Sequence, residues 1–268
     1  MIRKAYNCFR IVAIAVLAVV WALVQIPTLL SVAPFCRRFA VRQMRFFMRG
    51  AAMLFRIRLR AHGQMSDRRP LLLVANHISI FEIVAFPAIF GNAFFSKREV
   101  LKWPILGWYI KAFGNAFLDR RPSHAAEGAA NIRRQLRAAK NPFAVFPEGT
   151  TNNGDYVLPF KGGTFDFAAD ADVKIQPVAI LYRDKRGNKI DPQILADEYA
   201  YFSNAKQTQG PFAARELSII GLVWKNLVRG GFVFEAHILP AFDPKGLDRK
   251  EIAAALYEIV SKKFQELK

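Results

Sequence analysis

The sequence contains little of what several common kinds of site require. Only two cysteines, Cys8 and Cys36, and four histidines occur in 268 residues. The cysteines lack the CxxC spacing of a zinc site, and two are too few for a disulfide framework. The GxGxxG and Walker loops that bind nucleotides are absent, and so is the HExxH pattern of zinc hydrolases. We therefore expect no metal and no bound cofactor, and a reducing, cytosolic environment for the body of the chain.

Acidic residues are also missing from residues 1–62, which carry eleven arginines and lysines. The rest of the chain has 28 basic and 21 acidic side chains, so the N-terminal segment supplies most of the net charge of +18. Within this segment, residues 11–33 form an uncharged apolar run. Its length is about that of a transmembrane helix, which needs roughly 20 residues.

The flanks of this apolar run are both basic, so the positive-inside rule gives it no clean orientation. Pro27 could introduce a bend. We therefore expect a helix that enters one leaflet, or a hairpin that returns to the same side, in preference to a simple span. A signal peptide is the alternative, but the run is long for one, and Pro34 directly after Ser31-Val32-Ala33 would oppose cleavage.

Arginines recur at spacings of three, four and seven over residues 35–59 and alternate with phenylalanines and methionines. This pattern predicts a basic amphipathic helix that lies on an anionic membrane surface. Nucleic acid is the other usual partner of such a segment, but the neighbouring apolar run favours lipid. We therefore predict that residues 1–62 form a membrane-anchoring motif of two helices and that residues 63–268 form one further domain.

Strand-like and helix-like stretches alternate through the second domain. Six apolar stretches have the length of strands: residues 71–75, 93–96, 116–118, 143–146, 175–180 and 231–239. Helices are predicted at residues 80–90, 125–139, 217–228 and 248–267, with a short helical piece at 103–110 and a polar insertion at 184–212. Alternation of this kind is typical of an α/β domain, here a mixed sheet flanked by helices.

Four polar clusters come after predicted strands. They are Asn76-His77 with Glu82, then Asp119-Arg120-Arg121, then Glu148-Gly149-Thr150-Thr151, and residues 159–163, which include Lys161. In α/β sheets, polar groups at the carboxyl ends of strands meet at one edge, where ligands bind. We therefore expect these clusters to form one catalytic edge.

The first cluster suggests acid–base chemistry. A carboxylate at Glu82 can fix the tautomer of the His77 ring and stabilise the imidazolium that forms when His77 takes a proton. No GxSxG sequence is present, and Ser79 has no elbow around it, so the chain lacks a convincing nucleophile of its own. His77 is therefore predicted to deprotonate a substrate hydroxyl group, which then attacks a carbonyl carbon directly.

The other clusters are predicted to bind substrate. Arg120, Arg121 and Lys161 are cations suited to a phosphate or a carboxylate. The turn at Glu148-Gly149-Thr150 offers a hydroxyl group and main-chain N–H groups to a polar head group. The other histidines, His62, His124 and His237, are scattered through the sequence and show no metal-ligand spacing.

Taken together, four ordered blocks resemble the glycerolipid acyltransferase family, the PlsC-like 1-acylglycerol-3-phosphate acyltransferases. The blocks are Asn76-His77 with Glu82, Gly114 with Asp119-Arg120, residues 146–151 (Phe-Pro-Glu-Gly-Thr-Thr), and Gln176-Pro177-Val178. The resemblance covers about residues 70–182, and the N-terminal segment also resembles the membrane-embedding two-helix motif of that family.

The resemblance implies transfer of a fatty acyl group from acyl-CoA or acyl-ACP to the hydroxyl group of a lysolipid, with His77 as the base and Glu82 as its partner. It also implies that the second and third blocks bind the acceptor head group. We assign the following residues to substrate binding: Asn76, Asp119, Arg120, Arg121, Glu148, Gly149, Thr150 and Lys161. The expected location is the cytoplasmic side of the inner or plasma membrane, with membrane lipid as a partner and no nucleic acid.

Two positions depart from the family pattern. The acid of the first block is usually Asp, and here it is Glu82, one methylene longer. The third block commonly continues with Arg, which suits a phosphomonoester, and here Thr151 and Asn152 follow. The first expectation for the acceptor is 1-acyl-sn-glycerol-3-phosphate, giving phosphatidic acid in phospholipid biosynthesis. The alternatives are an acyltransferase for another lysolipid such as lyso-ornithine lipid, an acyl-thioester hydrolase, and a non-enzymatic membrane or nucleic-acid binding protein.

Overall fold

The computed structural model describes residues 37–97, 116–118, 125–152, 154–166, 173–190 and 231–268, and eight single positions between Tyr6 and Leu23. The helices in these ranges are α1 (Arg37–Leu54), α2 (Glu82–Phe90), α3 (Ala125–Arg137) and α4 (Arg249–Leu267). The strands are β1 (Ile57–His62), β2 (Leu71–Ala75), β3 (Ala93–Lys97), β4 (Ala116–Leu118), β5 (Phe143–Val145), β6 (Lys174–Arg183) and β7 (Phe232–Ile238). A 3-10 helix covers Gly162–Phe165.

The strands form one sheet in the order β1-β7-β6-β2-β5-β3-β4. Only the β6–β7 pair is antiparallel among the described strands, and the other neighbours run parallel. The central strand β2 is apolar and buried along its whole length, as expected for a parallel strand covered on both faces. The prediction of a mixed α/β sheet flanked by helices is confirmed, and all six predicted strands are present.

Helical structure covers both faces of the sheet at β6. Successive side chains of a strand point to opposite faces. The ring of Tyr182 packs against Phe234 of β7, with centroids 5.4 Å apart, and Phe234 packs against Phe86 of α2. The next residue, Arg183, donates a hydrogen bond to the carbonyl oxygen of Leu267 at the end of α4. The core thus lies in two layers, one on each side of the sheet.

The basic helix is shorter than the sequence pattern predicts. It was expected to continue to Leu59, but α1 ends at Leu54 and residues 57–62 form β1, which pairs with β7. The prediction failed because Arg58 and Arg60 belong to an alternation of period two, in which Ile57 is buried and the arginines point outward.

Two arginines of α1 contact α2. Arg45 donates a hydrogen bond to the carbonyl oxygen of Ile89 (2.8 Å), and Arg49 donates one to that of Ala88 (3.1 Å). Carbonyl groups in the last turn of a helix lack partners within the helix, and positive charge is favourable there. These two side chains therefore connect α1 to α2.

Several predictions lie outside the described residues. These are the helices at 103–110 and 217–228, most of the polar insertion, and most of the apolar run at 11–33. Within the described part of the chain, no helix combines the length and the hydropathy needed to cross a bilayer. The anchoring motif and the domain boundary at residue 62 stay predictions.

Gly231 provides a test of the β1–β7 pairing. It has a φ of 85°, and a Cβ atom there would lie 2.0 Å from the carbonyl oxygen of Arg56. Gly187 has a similar φ of 91° with no atom within 4 Å of such a Cβ. Both alanine variants carry the backbone penalty of ~1–2 kcal/mol, but we expect Gly231→Ala to lose at least ~2 kcal/mol more stability than Gly187→Ala. Equal losses in chemical denaturation would contradict the contact.

Candidate active site

The site begins where β2 ends. β2 stops at Ala75, whereas its neighbour β6 continues to Arg183. The side-chain amide of Asn76 bridges this difference: Nδ2 donates to the carbonyl oxygen of Ile180 (3.0 Å), and Oδ1 accepts from the N–H of Ile180 (2.7 Å). Asn76 is fully buried. Its predicted role in substrate binding is therefore wrong, because both ends of the amide are used to extend the pairing of β2 with β6.

His77 follows directly and presents one ring nitrogen outward. Its Nδ1 atom pairs with Oε2 of Glu82. The ring stacks on Phe146, with centroids 4.5 Å apart and planes 15° apart, and the side chain remains 21% exposed. Because Nδ1 is paired with the carboxylate, Nε2 is the nitrogen that could exchange a proton with a substrate.

Glu82, the first residue of α2, is fully buried. Its Oε1 atom accepts hydrogen bonds from the N–H of Ile78 (3.0 Å), the N–H of Ser79 (2.9 Å) and the hydroxyl group of Tyr182 (3.1 Å). A buried carboxylate needs such donors in place of water, and the N-terminal end of a helix also favours negative charge. The longer acid therefore fits here without an unsatisfied oxygen.

Glu148 supports the main chain of His77. Its Oε1 atom accepts from the His77 N–H (2.7 Å), while Oε2 accepts from Nδ2 of Asn152 (2.8 Å) and the N–H of Leu158 (3.1 Å). Only 2% of the residue is exposed. The expectation that Glu148 contacts a head group is therefore wrong, because its oxygens face the protein. Burial raises the pKa of Glu148 to about 8, helped by the negative charge of Glu82 and opposed by the hydrogen bonds it accepts.

Asn152 holds the same loop from the other side, and sequence reasoning missed it. Its main-chain N–H donates to the carbonyl oxygen of His77 (3.1 Å). Besides Glu148, its Nδ2 atom contacts the carbonyl oxygen of Tyr156 (2.9 Å), and its Oδ1 atom accepts from the N–H of Gly154 (2.6 Å). Both main-chain polar groups of His77 are thus bonded, one to Glu148 and the other to Asn152.

Gly149 and Lys161 lie side by side on the surface of the turn that follows β5. Gly149 has a φ of 72°, and a Cβ atom there would lie 2.7 Å from Nζ of Lys161. The N–H of Lys161 also donates to the carbonyl oxygen of Pro147 (3.0 Å). Both residues are exposed, and Thr150 is half-buried beside them. The structure thus brings the third and fourth predicted clusters together.

Comparison with known proteins identifies the fold and the chemistry. The family described as Acyltransferase matches residues 56–181. The lyso-ornithine lipid O-acyltransferase of Pseudomonas aeruginosa is 32% identical over 214 residues, which cover 78% of this chain and 72% of that protein. The chain belongs to the PlsC-like acyltransferase family. It is therefore an acyltransferase of the group that acts on lysolipids, as the four blocks predicted.

Other relatives of the acyltransferase differ in name and extent. The 1-acyl-sn-glycerol-3-phosphate acyltransferase of Neisseria meningitidis is 33% identical over 138 residues, and the match covers 50% of this chain and 54% of that protein. The crystal structure of the 1-acyl-sn-glycerophosphate acyltransferase PlsC from Thermotoga maritima superposes with a TM-score of 0.67, covering 99% of this chain and 97% of that one. At 21% identity, that likeness shows the fold alone.

The second predicted cluster of the acyltransferase, Asp119-Arg120-Arg121, lies outside the described residues, and its role in binding substrate stays a prediction. The third cluster contains a further buried residue, Thr151, at the position where the family commonly has Arg. Thr151 is 2% exposed, and its hydroxyl group has no hydrogen-bond partner among the described residues.

One group of side chains in the described part of the acyltransferase has the composition of a metal site. Ligand atoms of His62, Glu235 and His237 lie within 4.8 Å of one another. The two imidazole rings stack at 4.5 Å, so these histidines are neighbours in space although they are far apart in sequence. The Glu235 carboxylate, however, already pairs with Arg60 (3.1 Å) and Arg183 (2.9 Å). A divalent cation would have to compete with two guanidinium groups, which makes this a poor metal site.

The pKa of Glu148 leads to a prediction for stability. The folded state holds a proton on Glu148 up to about pH 8, whereas the unfolded chain loses it near the ordinary value of 4.5. This group therefore stabilises the fold most below pH 4.5, and its contribution is lost as the pH rises to about 8. In Glu148→Gln, we expect the free energy of unfolding to vary less between pH 5 and pH 8. The matched control is Glu258→Gln, at an exposed position, which should leave the pH dependence of the free energy of unfolding as in the parent. If Glu148→Gln also shows the pH dependence of the parent, the assignment is contradicted.

Proposed function

We propose that this acyltransferase moves a fatty acyl group from a thioester donor, acyl-CoA or acyl-ACP, to the hydroxyl group of a lysolipid, with His77 as the general base. The observation that carries this proposal is the pairing of His77 Nδ1 with the buried carboxylate of Glu82, which leaves Nε2 at the surface. A base held in one tautomer and aimed at solvent can take a proton from an incoming hydroxyl group.

The reaction then proceeds in balanced steps. The acceptor hydroxyl gives its proton to Nε2 of His77 as its oxygen attacks the thioester carbonyl. The carbon–sulfur bond breaks, and the departing thiolate takes the proton back from the imidazolium. Glu82 stabilises the positive ring between these two transfers, because its carboxylate is buried and close to Nδ1. No covalent acyl-enzyme is needed.

For the acceptor, we propose a lysolipid without a phosphomonoester, of the lyso-ornithine lipid class. Thr151 stands where the family commonly has the Arg that suits a phosphomonoester, and it is buried. The Pseudomonas relative, which is named for lyso-ornithine lipid, matches most of this chain. Lys161, exposed beside Gly149, is a cation that could bind the carboxylate of such a head group.

The second candidate acceptor is 1-acyl-sn-glycerol-3-phosphate. Lys161 would suit a phosphate equally well, and the Neisseria relative carries that name. Arg120 and Arg121, which the sequence predicts to bind substrate, would add positive charge suited to a phosphate. Because one cation serves either head group, the choice depends on a direct comparison of acceptors.

We also propose that the acyltransferase works at a membrane surface on the cytoplasmic side, where a lysolipid can enter from the bilayer. Apolar side chains are exposed along the described positions near the N-terminus, namely Tyr6, Phe9, Val12, Val16, Val19, Val20 and Leu23. On α1, Phe39, Phe46 and Met53 are also exposed. An extended apolar surface of this kind is typical of a lipid-binding or protein-binding face.

The base can be tested by His77→Ala. General bases contribute about 10²- to 10⁴-fold to a rate, so we expect kcat for acyl transfer to fall by about that factor, measured as release of free thiol from the donor. The matched control is His62→Ala, which removes an exposed imidazole near Glu235 and should leave turnover unchanged. Near-normal turnover by a folded His77→Ala protein would exclude the mechanism.

The acceptor can be tested with one labelled acyl donor and a panel of lyso-ornithine lipid, 1-acyl-sn-glycerol-3-phosphate and no acceptor. We expect the largest kcat/KM for lyso-ornithine lipid, and Lys161→Ala to raise KM with a smaller change in kcat. A clear preference for 1-acyl-sn-glycerol-3-phosphate would select the second candidate. Free fatty acid released at the same rate without any acceptor would instead indicate a thioester hydrolase.

A further inference from the structure

We propose that Tyr182 is a positioning residue for acyl transfer: its hydroxyl group holds the Glu82 carboxylate in the orientation that aligns the His77 ring. This inference rests on the proposed role of His77 as the base. The hydroxyl group of Tyr182 donates to Oε1 of Glu82 at 3.1 Å, while the other carboxylate oxygen faces His77. Tyr182 is buried and its hydroxyl group bonds Glu82, so it acts through that carboxylate.

The position of the hydroxyl group is fixed by the sheet. Tyr182 is 3% exposed, and its ring packs against Phe232 and Phe234 of β7, with centroids 5.0 and 5.4 Å away. It lies in the part of β6 that continues beyond β2. That extension is held at Ile180 by the amide of Asn76. Because both its ring and its strand are restrained, Tyr182 offers its donor without an added ordering cost on binding of substrate.

The contact also explains how the longer acid can serve in the place of the usual Asp. A glutamate has one more rotatable bond than an aspartate, and that freedom would let the carboxylate turn away from Nδ1. Two main-chain N–H groups, of Ile78 and Ser79, hold Oε1 from the local turn. Tyr182 adds a donor from a distant strand, so the carboxylate is fixed by two separate parts of the fold.

Tyr182→Phe tests the proposal because it removes the hydroxyl group and keeps the packed ring. We expect kcat to fall about tenfold, with the KM values for donor and acceptor changed by less than about twofold, since a hydrogen bond to an ionised group is lost without change to the binding surface. The matched control is Tyr257→Phe in α4, a half-buried tyrosine that packs on Phe160, which should leave kcat unchanged.

A double-mutant cycle shows whether Tyr182 acts through Glu82. In Glu82→Asp, the shorter carboxylate cannot contact His77 and Tyr182 together, so adding Tyr182→Phe should lower kcat no further. If Tyr182→Phe lowers kcat by the same factor in Glu82→Asp as in the parent, the proposal is overturned. A rise in KM at constant kcat in Tyr182→Phe would overturn it too. Thermal unfolding of each variant shows whether the fold is intact.

The outcome separates this inference from the proposed function. If His77→Ala keeps its activity, the proposed mechanism is wrong, and the positioning role of Tyr182 is wrong as well. If His77→Ala is inactive and the Tyr182–Glu82 cycle shows no coupling in kcat, the base assignment stands and only the positioning role of Tyr182 is wrong.

Discussion

The geometry of the site depends on two buried acidic side chains, Glu82 and Glu148, that face the same short piece of chain. Glu148 accepts the N–H of His77, and Glu82 accepts the next two N–H groups as well as the imidazole. An isolated buried carboxylate is unfavourable, and it persists only where donors replace water. In this protein, the donors that the two acids need include the main chain and the ring of His77, the base of the proposed mechanism. The contacts that satisfy the two buried acids therefore also position His77.

The mismatch in length between two neighbouring strands makes room for this arrangement. β2 ends at Ala75, and β6 continues for five residues beyond its last pair with β2. The amide of Asn76 closes the first part of the gap at Ile180, and Tyr182 reaches Glu82 from farther along the same strand. A histidine on an ordinary surface loop would have none of these restraints. Here the sheet restrains the loop that carries His77, through the bonds of Asn76 and Tyr182.

Much of this could be predicted from the sequence, because apolar runs and the spacing of His77 and Glu82 are local patterns. The strands, the mixed sheet and the pairing of His77 with Glu82 follow from such patterns. Sequence reasoning was wrong about Asn76 and Glu148, since a polar residue in a motif looks the same whether it faces substrate or main chain. It also missed Asn152 and Tyr182. Asn152 bonds the main chain of His77, 75 positions away, and Tyr182 bonds Glu82, 100 positions away. No local pattern encodes contacts at such separations.

The arginines of α1 have a consequence for the acid at the other end of α2. Arg45 and Arg49 bond the C-terminal carbonyl groups of α2, and Glu82 is the first residue of that helix. α2 has nine residues, so it spans about 13 Å at the usual rise of an α-helix. A displacement of α1 would therefore pull on α2 and shift the carboxylate relative to the imidazole. A single short helix thus connects the exposed apolar side chains of α1 to the proposed site of proton transfer.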